Sequence, residues 1–186
     1  MDDFEFNPKL DTRNLRDEYK GLSNEAVKNS LDKKRVSLEI AIENVDHDFN
    51  VGTIVRSANN FNVQAVHIIG RRKYNRRGAM CTDKYLTIKY WINLGEFIND
   101  QRERNREIVA VENNTERAKP IHDKKFVQDT TLIFGSEGNG ISSGLLKRAD
   151  DIRYIKSLGS TRSLNVGVAA GIAIYEWARQ RVLSRD

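Results

Sequence analysis

The chain has 186 residues, 39% hydrophobic and 31% charged, with a formal net charge of +5. That is enough for one soluble domain with its own core, and no apolar run reaches the length of a bilayer span. A single cysteine, Cys81, excludes an internal disulfide and a Cys-rich metal centre. The acidic start Met1-Asp2-Asp3-Phe4-Glu5 lacks the parts of a secretory signal or a transit peptide. A cytoplasmic protein with no metal and no membrane partner is the expectation.

Residues 1–35 are polar and weakly patterned, with eight acids balancing eight bases. They read as a helical extension ahead of a main domain over residues 36–186. From Val36 the alternation of Val36, Leu38, Ile40 and Ile42 with more polar neighbours predicts a strand. Asn50 then reads as the cap of a helix whose apolar positions Val51, Ile54, Val55, Ala58 and Phe61 share one face. Further strands are expected near residues 65–70, 87–92, 107–111, 131–134 and 152–155, with helices near 94–104 and 141–149. Strands alternating with helices predict a parallel α/β sheet with helices on its faces.

The net positive charge points weakly to a polyanionic partner, and its placement says more. In Arg71-Arg72-Lys73-Tyr74-Asn75-Arg76-Arg77, five cations surround a tyrosine directly after a strand. The run suits RNA, with Arg71, Arg72, Lys73, Arg76 and Arg77 on phosphates and Tyr74 stacking on a base. It is equally compatible with a solvated loop.

The last helix, near residues 163–184, carries apolar groups all around its first half, from Leu164 and Val166 to Ile174 and Tyr175. Such a helix must be covered on every side. Gly167 and Gly171, one turn apart, would admit another backbone closely. A domain this small has few elements to do the covering, so a partner subunit is expected; a central core helix within one chain is the alternative.

Ligands of open parallel sheets bind at the carboxyl ends of the strands. Three polar clusters fall there: Asn50 with Arg56, residues 135–140 (Gly-Ser-Glu-Gly-Asn-Gly), and residues 159–165 (Gly-Ser-Thr-Arg-Ser-Leu-Asn). Taken singly, each has a structural explanation as a cap, a surface charge or a turn. The glycine-rich stretch has the outer spacing of a P-loop, but Ile141 stands where lysine is required. Its G-x-x-G-x-G order disfavours a dinucleotide site, and Ser136 lacks the spacing of a nucleophile elbow. His47, His67 and His122 show no metal spacing, and His67, inside a strand, reads as packed.

In this order the clusters resemble the SpoU (TrmH) family of SPOUT-superfamily RNA methyltransferases. The matching segments are residues 50–58 (Asn-Val-Gly-Thr-Ile-Val-Arg-Ser-Ala), 134–141 (Phe-Gly-Ser-Glu-Gly-Asn-Gly-Ile) and 163–170 (Ser-Leu-Asn-Val-Gly-Val-Ala-Ala). One departure is local: the family's Ile-Pro-Met reads Ile155-Lys156-Ser157 here. The resemblance implies a parallel α/β sheet with a carboxyl-terminal trefoil knot, a homodimer, and S-adenosylmethionine as cofactor. It implies cofactor contacts at Val111, Gly135, Ile155, Ser163 and Leu164. It further implies catalytic roles for Asn50, Arg56, Glu137, Ser163 and Asn165.

The implied reaction moves a methyl group from a sulfonium to a ribose 2′-hydroxyl of RNA. It needs alignment and help in removing a proton from a weak acid. The resemblance gives that task to Arg56, although a guanidinium stays protonated. Arg56 either relays a proton to the adjacent phosphate or clamps that phosphate and stabilises the forming alkoxide. Asn50 would orient Arg56, Glu137 would order the second loop, and Ser163 with Asn165 would complete the pocket. No additional RNA-binding domain precedes the motifs, which tilts the expected substrate toward transfer RNA over ribosomal RNA. Two alternatives stand beside this reading: a non-catalytic RNA-binding module with a cofactor-shaped knot, and a nicotinamide-dependent α/β oxidoreductase.

Overall fold

The computed structural model describes residues 11–43, 48–70, 74, 76–136 and 138–185. Seven parallel strands form one sheet in the order β3-β2-β1-β6-β4-β7-β5. They are β1 (Val36–Glu43), β2 (Val63–Ile69), β3 (Ile88–Trp91), β4 (Glu107–Val111), β5 (Lys119–Pro120), β6 (Thr130–Phe134) and β7 (Asp151–Tyr154). Five helices accompany them: α1 (Asn24–Asp32), α2 (Asp48–Asn60), α3 (Leu94–Glu103), α4 (Ser143–Leu146) and α5 (Val166–Arg181).

Successive residues of the central strands point to opposite faces, and both faces are covered. Leu38, Ile40, Ile42, Leu132 and Phe134 pack with Val51, Ile54 and Val55 of α2 and with Ala170, Ile174 and Trp177 of α5. On the other face Ala41, Ile108, Ala110 and Ile133 pack with Phe97 and Ile98 of α3 and with Leu145 of α4. This is the three-layer parallel α/β architecture expected. Among the described residues, no helix is long and apolar enough to cross a membrane, and no group of three or more His, Cys, Asp or Glu is placed to hold a metal ion.

Ahead of β1, α1 and a 3-10 turn at Asp17–Tyr19 form a small separate core in which Tyr19 and Val27 meet Tyr85. Arg35 ties this region down through Asp32, Asn62 and the carbonyl of Tyr85.

Three helix ends differ from expectation. α2 starts at Asp48, so Asn50 lies inside its first turn and is not its cap. α5 starts at Val166 because the Asn165 side chain accepts the Gly167 and Val168 amides at 2.9 and 3.3 Å. Residues 163–165 are thereby held out of the helix. α4 is a single turn capped by Ser142.

The last helix also differs. Gly167 and Gly171 face α2 of the same chain: a Cβ at Gly167 would lie 3.0 Å from Thr53 Cγ2, and one at Gly171 3.8 Å from Ser57 Oγ. The backbone they admit is α2, and they carry no argument for a partner. Gly167, Ala170, Ala173, Ile174, Trp177 and Ala178 are buried, whereas Val168, Ile172 and Tyr175 form an exposed apolar stripe.

Candidate active site

A cavity of about 540 Å³ opens at the carboxyl ends of three adjacent strands, β6, β4 and β7. Its walls are the ends of these strands and the loops that follow, at residues 111–114, at 134–136 and 138–140, and at 155, 157 and 162–166. The volume lies within the roughly 300–1,000 Å³ common for small-molecule sites. Val111, Gly135, Ile155, Ser163 and Leu164 all line it, as does Asn165.

The glycine-rich loop owes its shape to two residues without side chains. A Cβ on Gly135 would overlap the backbone of Gly140 and Ile141, so the loop folds back on its own start. Gly140 has φ +66°, in the left-handed region. Ser136 and Gly140 exchange both backbone hydrogen bonds, at 3.2 and 2.8 Å, and Ser136 Oγ accepts the Asn139 amide. Two carboxylates anchor the end of the loop, at Ile141 and Ser142. Glu112 accepts the Ile141 amide at 3.0 Å. Glu43, buried at the end of β1, accepts the Ser142 amide at 2.8 Å and the Ser142 hydroxyl at 2.6 Å.

The third wall is tied to both neighbours. Asn113 Nδ2 donates to the Arg162 carbonyl at 2.7 Å, joining the loop after β4 to the loop before α5. Asn165 Nδ2 donates to Asn50 Oδ1 at 3.0 Å across 115 residues of sequence. Asn165 thus uses its oxygen to cap α5 and its amide to reach α2. The first and third polar clusters therefore meet in space.

Arg56 lies further along α2, on the same helix face as Gly52 four residues earlier. It is exposed and makes no hydrogen bond or ion pair with a described residue. Arg56 and Asn50 do not line the cavity; Asn50 reaches it through Asn165. Glu137 lies outside the described residues.

Of the basic run, Arg71, Arg72 and Lys73 lie outside the described residues, while Arg76 and Arg77 are exposed on a 3-10 turn, Arg76–Ala79. That turn rests on α2 at Gly52, where a Cβ would stand 2.6 Å from the backbone of Gly78 and Ala79. Arg76 pairs with the buried Asp83. Tyr74 contradicts its expected stacking role. Its ring is half-buried against the main core and its hydroxyl is enclosed, which pushes the phenol's pKa up.

Arg162, from the third polar cluster, lines the cavity, and so do Glu112 and Asn113, which belong to none of the three clusters. The available signal was the polar Glu-Asn-Asn directly after β4, at a carboxyl end of the sheet. His67 is packed as expected: fully buried, with Nε2 2.8 Å from Glu39.

Comparison with known proteins places this geometry in a family. The model of the SpoU rRNA Methylase family matches residues 37–175. The tRNA (guanosine(18)-2′-O)-methyltransferase of Escherichia coli strain K12 is 26% identical over 154 residues, 81% of this chain and 67% of that protein. The 23S rRNA (guanosine-2′-O-)-methyltransferase RlmB of Coxiella burnetii is 30% identical over 171 residues, 89% of this chain and 68% of that protein. Among solved structures, the SpoU methyltransferase AviRb from Streptomyces viridochromogenes, in complex with AdoMet, superposes with a TM-score of 0.73 at 24% identity. That match covers 81% of this chain and 62% of the other. The chain belongs to the SpoU rRNA methylase family.

Proposed function

We propose that the protein transfers the methyl group of S-adenosylmethionine to a ribose 2′-hydroxyl of RNA, acting as a homodimer in the cytoplasm. The observation that carries this is the three-walled cavity lined by Val111, Gly135, Ile155, Ser163 and Leu164, with Asn165 bonded to Asn50 on the helix that bears Arg56. Transfer RNA is put ahead of ribosomal RNA on the match to the E. coli enzyme.

The cavity fits the cofactor. It has the volume, and its folded-back loop admits no side chain at Gly135. Backbone groups at Val111, Gly135, Ile155 and Leu164 would hold S-adenosylmethionine, with Ser163 beside them. Bound there, the cofactor supplies a methyl group on a sulfonium whose leaving group is a neutral thioether, so no acid is needed. Asn165 keeps Ser163 and Leu164 out of α5, where they face the cavity. Arg56, exposed and without a partner among the described residues, is disposed to clamp an RNA phosphate and stabilise the hydroxyl oxygen as its proton passes to solvent. Arg71, Arg72, Lys73, Arg76 and Arg77 would hold further phosphates. Glu137 would order the loop that carries it.

A second copy of the chain would cover Val168, Ile172 and Tyr175. The stripe continues into Leu164, itself a cavity residue, so the subunit interface would adjoin the site. Residues 1–35 would form an extension to the methyltransferase domain of residues 36–186. Family membership and the strand order β1-β6-β4-β7, in which a late strand enters between two earlier ones, support a trefoil knot in the carboxyl-terminal third.

Arg56→Ala tests the assignment. Transfer of labelled methyl to size-fractionated RNA should fall at least about 100-fold, the scale of one lost electrostatic donor. Calorimetric affinity for S-adenosylmethionine should stay within a few-fold. Retained turnover would remove Arg56 from the chemistry. Titration of the unaltered protein with NAD, expected to show no binding, separates the nicotinamide alternative.

A further inference from the structure

The carboxylate of Glu112 belongs to two cavity walls at once. Oε1 accepts the amides of Asn113 at 2.7 Å and Asn114 at 3.3 Å, within its own loop after β4. Oε2 accepts the amide of Ile141 at 3.0 Å, in the glycine-rich loop after β6. The side chain is half-buried and lines the cavity. Gly140, beside it, stands at φ +66°, and a Cβ there would overlap Glu112 Oε2 and lie 3.0 Å from Asn114 Nδ2. Glycine at 140 is therefore needed for the carboxylate to reach the Ile141 amide.

We propose that Glu112 is a positioning residue for the cofactor, a latch that sets the spacing between the loops after β4 and β6. An ionised carboxylate offers acceptors only, so it can take all three amides. A carboxamide of the same size cannot: whichever way it turns, its NH2 faces an amide donor on one wall. Charge-assisted bonds of this kind are stronger than neutral ones, and the loop they hold has no other side-chain tie to β4 among the described residues. The two loops contribute Val111 and Gly135 to the cavity, so freeing one from the other spoils the site before cofactor arrives. The global fold is untouched, because Glu43 still anchors Ser142 to β1. This inference rests on the cofactor assignment above.

Measurements on Glu112→Gln separate the latch from that assignment. Hydrogen exchange in the cofactor-free protein should show faster exchange at the Ile141 amide, with the strand amides of β1 and β6 unchanged. Calorimetry with S-adenosylmethionine should show at least a ten-fold loss of affinity at an unchanged melting temperature. The KM for the cofactor should rise, while kcat recovers at saturation. If Glu112→Gln binds S-adenosylmethionine within two-fold of the unaltered protein, or if Ile141 exchange is unaffected, the latch is wrong. If the unaltered protein fails to bind S-adenosylmethionine, the cofactor assignment falls, and the positioning role with it, whatever the exchange data show.

Discussion

Trp91 donates its indole N–H to Nδ1 of the fully buried His67 at 2.9 Å. That bond leaves Nε2 to carry the proton, which it donates to Glu39 at 2.8 Å. Burial holds the imidazole's pKa below its ordinary 6.5, outweighing the upward pull of Glu39. Lys89 and Arg104 add to the lowering. Burial alone would raise the pKa of Glu39, but Arg104 and His67 hold that carboxyl far below its usual range.

The lowered imidazole pKa fixes the sign of the pH effect. Below pH 6.5 the unfolded chain takes up a proton at His67 that the folded chain refuses. The stabilisation is whole above that pH and is lost as pH falls beneath it. Melting temperature should therefore decline between pH 6.5 and 5, and His67→Gln should flatten that decline. His67→Leu should cost about 1–3 kcal/mol at pH 7.5, because it leaves Trp91 without an acceptor and Glu39 without a donor. Parallel curves for the unaltered protein and His67→Gln would show that His67 does not titrate in this window.

The exposed stripe on α5 predicts the oligomeric state. Ile172 is 38% exposed in the single chain, so Ile172→Glu in a monomer would keep its carboxylate in water and cost only about 1 kcal/mol of lost apolar burial. In a dimer it would bury an unpaired carboxylate at several kcal/mol. Sedimentation should give a dimer for the unaltered protein and the 21.3 kDa monomer for the variant. A dimer that survives Ile172→Glu would place the interface elsewhere.

Much of this arrangement is legible in the residues because local periodicity reports which face a side chain takes. The alternation in residues 36–43 marks β1, and the polar clusters mark the strand ends that hold the cavity. Proximity between distant segments is not legible in that way. The glycines at 167 and 171 announce a close backbone, but only the fold says that the backbone is α2 of the same chain. Tyr74 sits among cations in sequence, yet its ring turns into the core. β5 has two residues, Lys119 and Pro120, too few for any alternation to register. The latch at Glu112 depends on a carboxylate meeting an amide 29 residues away, for which no spacing rule exists.

The methyl group is expected on a ribose oxygen. Alkaline cleavage of RNA proceeds by attack of the 2′-hydroxyl on the neighbouring phosphate, so a 2′-O-methyl group blocks cleavage at one linkage. RNA labelled by the protein with methyl-labelled S-adenosylmethionine should be digested to completion in alkali and its products separated by size. The label should appear in a single alkali-resistant dinucleotide. Label in ordinary mononucleotides would place the methyl on a base and contradict this assignment.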